Sequence, residues 1–176
     1  MMRMRPFPAL MLLGAVILSC SNLFGQITIS EVRLVYPQAV DDEETCKDLY
    51  DKFESEKKKL TPLMMGYKGS INALMSKHSG NPFSKMSYFN DGKKLLENAI
   101  RADSANAELR FLRITMQVNL PSFLMYNENI EEDKVLLISQ LPSVSNEKTK
   151  KTIATFLIKS DCTTAKEKKK IEELLN

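Results

Sequence analysis

GKKLLENAIRADSANAELRF, residues 92–111, decides how the rest of the chain is read. Gly92, Leu95, Leu96, Ala99 and Ile100 recur at three- and four-residue spacing, which is one face of an α-helix. Asp103-Ser104-Ala105-Asn106 then offers turn and capping residues. Ala107-Glu108-Leu109 opens a second helix whose apolar residues are Leu109, Phe111, Leu112, Ile114, Met116 and Val118. They cover more than one stripe, so this helix, about 107–119, is expected to be buried on two sides and to lie centrally.

The same period extends outward in both directions. Upstream, residues 42–59 place Cys46, Leu49, Tyr50 and Phe53 on one face and charges on the other. Thr61-Pro62 is an N-cap followed by proline at the first helical position, opening a helix over about 62–78. Gly66 and Gly69 leave one side of it slim enough for a close neighbour. A helix over about 84–102 follows Asn81-Pro82, with Met86, Phe89, Gly92 and Leu96 inward. Downstream, helices are expected over about 129–140, with Asn129 and Glu132 as a capping pair, and over about 146–159. Thr164 and Glu167 form a capping box for a last one. Residues 27–40 favour a short helix. No hairpin signal of the Asn-Gly kind separates alternating runs.

Composition limits what such a chain can be. Its 176 residues carry 25 Lys and Arg against 22 Asp and Glu, net +3, with 43% apolar and 27% charged residues. That excludes a disordered acidic tail, a collagen-like repeat and a disulfide-dense miniprotein, and argues against a dedicated nucleic-acid binder. Six Gly and seven Pro are few for a many-turned β sandwich.

The first 25 residues carry an address. Arg3 and Arg5 precede the uncharged run from Ala9 to Leu18, too short for the about 20 residues that cross a bilayer. Residues 1–25 are expected to be a signal peptide and 26–176 a single exported domain, in the periplasm or outside the cell. Two processing routes compete. Cleavage after Gly25, the preferred route, leaves a soluble protein. Ile17-Leu18-Ser19-Cys20 resembles a bacterial lipobox, which would acylate Cys20 and tether the chain as a lipid anchor. The signal removes two arginines and no acid, so the net charge falls from +3 to +1. Strong steering of anionic partners is not expected.

Residues 92–111 also resemble a tetratricopeptide-repeat junction. Gly92, Leu96 and Ala99 occupy the family's small, large and small positions, and Ser104 stands where the family has proline. The segment 77–84 is longer than the family's turn, and no second copy keeps a 34-residue period. The resemblance implies an all-α domain of stacked antiparallel helix hairpins, an irregular right-handed array. The segment NPFSKMSYFNDGKKLLENAI, with ELRFLR and LPSF after it, is similar to small exported bacterial helical proteins of unassigned function. That likeness implies an architecture and an address and no activity.

Chemistry-bearing constellations are sparse. His78 is the only histidine, expected at a helix C-terminus, where it favours the dipole. No CxxC, H-E-x-x-H, G-x-S-x-G or glycine-rich phosphate loop occurs, so no cofactor or metal site is expected. Asp41 to Glu44 and Glu128 to Asp133 are read as helix N-terminal acids. Lys57 to Lys59 and Lys166 to Lys170 are read as solvated faces. Cys46 and Cys162 are expected to be free thiols, because the two ends of a helical array lie too far apart for a disulfide.

The loop Pro121-Ser122-Phe123-Leu124-Met125-Tyr126 either plugs the core or presents an apolar patch. Tyr67, Phe123, Leu124 and Tyr126 are the candidate partner-binding residues. The function expected is a non-enzymatic module that binds a protein or peptide, with no nucleic acid and no membrane span. Two alternatives stand beside it: an enzyme using a carboxylate or His78 in a helical cleft, and a structural accessory subunit of an envelope complex.

Overall fold

The computed structural model describes residues 26–175. The expected signal peptide and Cys20 lie outside the described residues. Those described form an all-α fold: α1 (Ile29–Ala39), α2 (Glu43–Ser55), α3 (Pro62–His78), α4 (Pro82–Ala102), α5 (Ala107–Asn119), α6 (Ile130–Gln140), α7 (Glu147–Lys159) and α8 (Ala165–Glu173). Short 3-10 turns at Ser122–Leu124 and Leu141–Ser143 complete it.

Local chemistry starts most of these helices where the sequence places them. Thr61 accepts from the Met64 amide with Pro62 in the first turn. Thr164 and Glu167 form the reciprocal capping box of α8. Asn106 accepts from the Glu108 and Leu109 amides at α5. Each such cap satisfies amides that the helix leaves without a partner, about 1 kcal/mol apiece.

Four expectations are corrected. α2 stops at Ser55 and not near 59: Glu56 turns extended, and Lys57-Lys58-Lys59 offers a further turn no apolar residue to bury. α4 begins at Pro82, because the Asn81 side chain accepts from Phe83 and Ser84. Met86 faces outward, 46% exposed. Lys85, beside it in the same turn, is exposed too, so the covering surface has ended there. Asn129 makes no side-chain cap on α6. Its Oδ1 instead accepts from Gln117 Nε2 at 3.3 Å, and its Nδ2 donates to Glu132.

The most extensive helix pair is α3 against α4, which run antiparallel with Gly66 beside Leu96 and Ala99. Glycine is required at the crossing. An ideal Cβ on Gly69 would sit 2.7 Å from the Gly92 carbonyl oxygen, and one on Gly92 would sit 2.5 Å from the Gly69 oxygen. The two backbones therefore touch, as the slim face of α3 allows.

Buried apolar residues form two clusters. The first joins α1 to α4 through Val32, Cys46, Phe53, Ile71 and Leu96, and takes Leu109 and Leu112 from α5. The second joins α6, α7 and α8 through Leu137, Ile153, Leu157 and Ile171, and takes Ile114 from α5, with Phe111 and Val118 packed against it. α5 is thus the shared wall, as its all-round apolar pattern implies. Cys46 is buried and Cys162 half-buried, and both are free thiols.

Candidate functional site

The four candidate residues do not meet. Tyr67 is 5% exposed inside the first cluster. Its hydroxyl donates to Glu108 Oε1, which also accepts from Arg33 Nε at 2.8 Å. Its ring meets Tyr36 edge-on at 5.2 Å. Burial first and the Glu108 charge second raise the Tyr67 pKa. A buried phenol keeps its hydroxyl only by finding an acceptor, and here the acceptor is internal. Tyr67 therefore lies on the inward stripe of α3, away from the exposed surface.

The loop after α5 divides its apolar residues between inside and outside. Pro121 leads into the 3-10 turn, and Met125 then takes the left-handed conformation, φ 47° and ψ 46°. It is the only non-glycine residue with positive φ among the described residues. The reversal turns Tyr126 inward to 3% exposure, while Phe123 and Met125 stay 76% and 80% exposed. Leu124 is half-buried between them. Both readings of the loop thus hold in part, with Tyr126 as the plug and Phe123 on the outside. Tyr126 as an exposed anchor is corrected.

Tyr126 is held from several directions. Its hydroxyl donates to Glu97, its ring lies edge-on to Phe89 at 6.1 Å, and Lys93 Nζ sits 4.3 Å above the ring. Burial and the Glu97 hydrogen bond raise its pKa. Glu97 continues into a buried ionic cluster. Arg113 Nη1 donates to it at 3.2 Å, and Arg113 Nε and Nη2 each reach Asp133 at 2.7 Å. Arg110 Nη1 donates to Asp133 at 3.0 Å and to Glu132 at 2.8 Å. Asp133 is wholly buried. Burial opposes the Arg113 charge, but the hydrogen bond and charge of Asp133 outweigh it, so its pKa is raised.

This cluster was not expected. Asp133 belongs to an acidic run read as helix N-terminal acids, and only Glu131 and Glu132 of that first turn are exposed. The available signal was on α5. Arg110, Arg113 and Gln117 interrupt a helix that is apolar all round, and a buried arginine needs a carboxylate.

Outside the loop lies a cleft of about 630 Å³, lined by Val118, Pro121, Tyr126, Ile130, Phe156 and Cys162 among others. A second hollow of about 660 Å³ adjoins it along α7, and Phe156 lines both. Gln117 lies in the wall of the cleft, with its Oε1 buried and without a partner.

Comparison with family models, curated proteins and solved structures finds no match to the chain. The functional reading therefore rests on geometry. His78 ends α3 as expected, and its Nε2 has no hydrogen-bond partner. Among the described residues, no group of three or more His, Cys, Asp or Glu side chains is placed to hold a metal ion. No described helix is long and apolar enough to cross a membrane.

Proposed function

We propose that the protein is an exported, non-enzymatic helical module of the bacterial envelope, which holds a protein or peptide partner at the 119–127 loop and the cleft beside it. The tetratricopeptide-like junction at 92–111 supports stacked hairpins as the scaffold, and the Arg-led apolar start of the chain supports export. Acylation at Cys20 would tether the same module to a membrane.

One observation carries the reading. Phe123 and Met125 stand 76% and 80% exposed on a turn that is pinned, not loose, since Tyr126 anchors it. Holding a methionine in the left-handed region costs on the order of 1–3 kcal/mol. That cost brings no burial of Met125 itself, which favours display as its use. Large side chains already fixed in place bind with less entropy loss than mobile ones.

A photo-crosslinking residue placed at position 123, in cells that make the protein, tests this. The control site is position 83, where the wild-type Phe83 is 87% exposed on α4. The expected result is a discrete adduct from 123, absent from 83, that disappears in a Met125→Ser background. Equal labelling from both sites, or none from 123, refutes the reading.

A further inference from the structure

The outer face of α7 is a basic stripe. Lys148, Lys151, Thr152, Thr155 and Lys159 follow one another at helical spacing, and all five are exposed. No ion-pair partner is found for these three lysines among the described residues. Only Glu147 and Asp161 are acidic among the residues that line the two adjoining hollows, and Glu147 lies 3.9 Å from Lys150.

Shape narrows what could neutralise the stripe. The hollows share Phe156 and run from Glu147 to Cys162. Along α7, from Glu147 to Lys159, 1.5 Å per helical residue makes that stretch about 18 Å. An extended chain covers the same length with about six residues. The hollow along Lys148 and Lys151 is shallow and lined by α7 alone, whereas at the Lys159 end the 119–127 loop walls the cleft. A cleft with a wall at one end fits a strand-like segment better than a flat lipid surface. Lys148 and Lys151 stand towards one end and Lys159 towards the other, with the apolar ring of Phe156 between.

We infer that these adjoining hollows take an extended acidic segment of the partner, about six residues long, with carboxylates on Lys148, Lys151 and Lys159 and an apolar side chain against Phe156. This rests on the interaction reading above and names the chemistry of the partner. Lysines are point charges without a fork, so they select charge more than geometry. Binding should be salt-sensitive, because exposed pairs are screened.

The probe is a fluorescein-labelled hexapeptide, EELFEE, followed by anisotropy and by amide NMR shifts. Its neutral counterpart, QQLFQQ, is the control. Saturable binding of EELFEE is expected, with shifts concentrated in residues 147–162 and binding that weakens as salt rises. Three exposed pairs together are worth about tenfold. QQLFQQ, and EELFEE offered to the triple variant K148Q/K151Q/K159Q, should each bind about tenfold more weakly. The lysines are exposed, so the variant should melt as the wild type does. Equal affinity for the two peptides overturns the inference, as does undiminished binding by the variant or shifts that map elsewhere. Capture by phosphatidylglycerol vesicles without peptide binding assigns the stripe to a lipid surface and also overturns it. Adducts from position 123 that persist in the triple variant remove the charge preference while leaving the interaction reading standing.

Discussion

Arg113 and Asp133 face each other as a two-pronged pair, Nε to Oδ2 and Nη2 to Oδ1, both at 2.7 Å, at the join between α5 and α6. Arg110 approaches the same carboxylate from one helical turn earlier. A single wholly buried acid is therefore shared by two arginines, and the more exposed Glu132 and Glu97 complete their partners.

The first prediction concerns that balance. Asp133→Asn keeps the shape and removes the charge. Breaking a buried pair by removing one partner costs about 3–5 kcal/mol. Urea unfolding of the variant should show a loss of that size. A loss below about 1 kcal/mol would mean that Glu132 and Glu97 suffice to hold the arginines.

Glycine at the α3–α4 crossing gives a second test with an internal control. Gly69→Ala would drive a Cβ to within 2.7 Å of the Gly92 oxygen and 2.8 Å of the Leu96 nitrogen, both backbone atoms. Forcing the helices apart should cost about 1–3 kcal/mol. Gly80→Ala meets nothing within 4 Å, and Gly80 does not have positive φ. It should gain about 0.4–1 kcal/mol, through the unfolded chain. Thermal melts of the two variants should shift in opposite directions.

Alkaline pH should unfold the protein. Burial pushes the Cys46 thiol from 9.0 up to about 11 and the Tyr36 phenol from 10.0 up to about 12. Tyr67 and Tyr126 are raised as well, by burial first and a glutamate second. These groups are neutral when protonated, and the unfolded chain loses their protons first. Their stabilisation is complete below about pH 9 and falls as pH climbs through 10–12. Of the five tyrosines, Tyr36, Tyr67 and Tyr126 should therefore ionise together with the loss of helical circular dichroism. Ionisation of all five at 295 nm with the helix signal intact would contradict the burial.

Met125→Gly separates stability from display. Glycine enters the left-handed region without steric cost, and Met125 has little packing to lose. The variant should be more stable by up to about 1 kcal/mol, yet give weaker adducts from position 123. A drop in melting temperature would show that the methionine supports the loop.

The fold was legible wherever one helix carries its own instructions. Thr61-Pro62, Thr164 with Glu167, and the spacing of Cys46, Leu49 and Phe53 all act within a few residues. The double burial of α5 was legible too, because apolar residues on every side of a helix demand neighbours on every side. What stayed hidden depends on partners distant in the chain. Asp133 looks like one more helix N-terminal acid until Arg110 and Arg113 are brought against it, 23 and 20 residues away. Tyr67 looks like an interface residue until Glu108 closes over its hydroxyl. At the loop, the apolar composition of 121–126 was plain, but the division into inward Tyr126 and outward Phe123 follows from one dihedral angle at Met125. Met86 was misplaced because periodicity does not say where a covering surface ends.

The position of α5 as a wall common to both apolar clusters has a consequence for any attempt to divide the molecule. A scission near Leu120 would leave the upstream fragment with a greasy outer side bared to water. The downstream fragment would have three rods and no lid. Neither half closes without the other, so the molecule should melt as a unit and pass on any damage to that one rod in both directions.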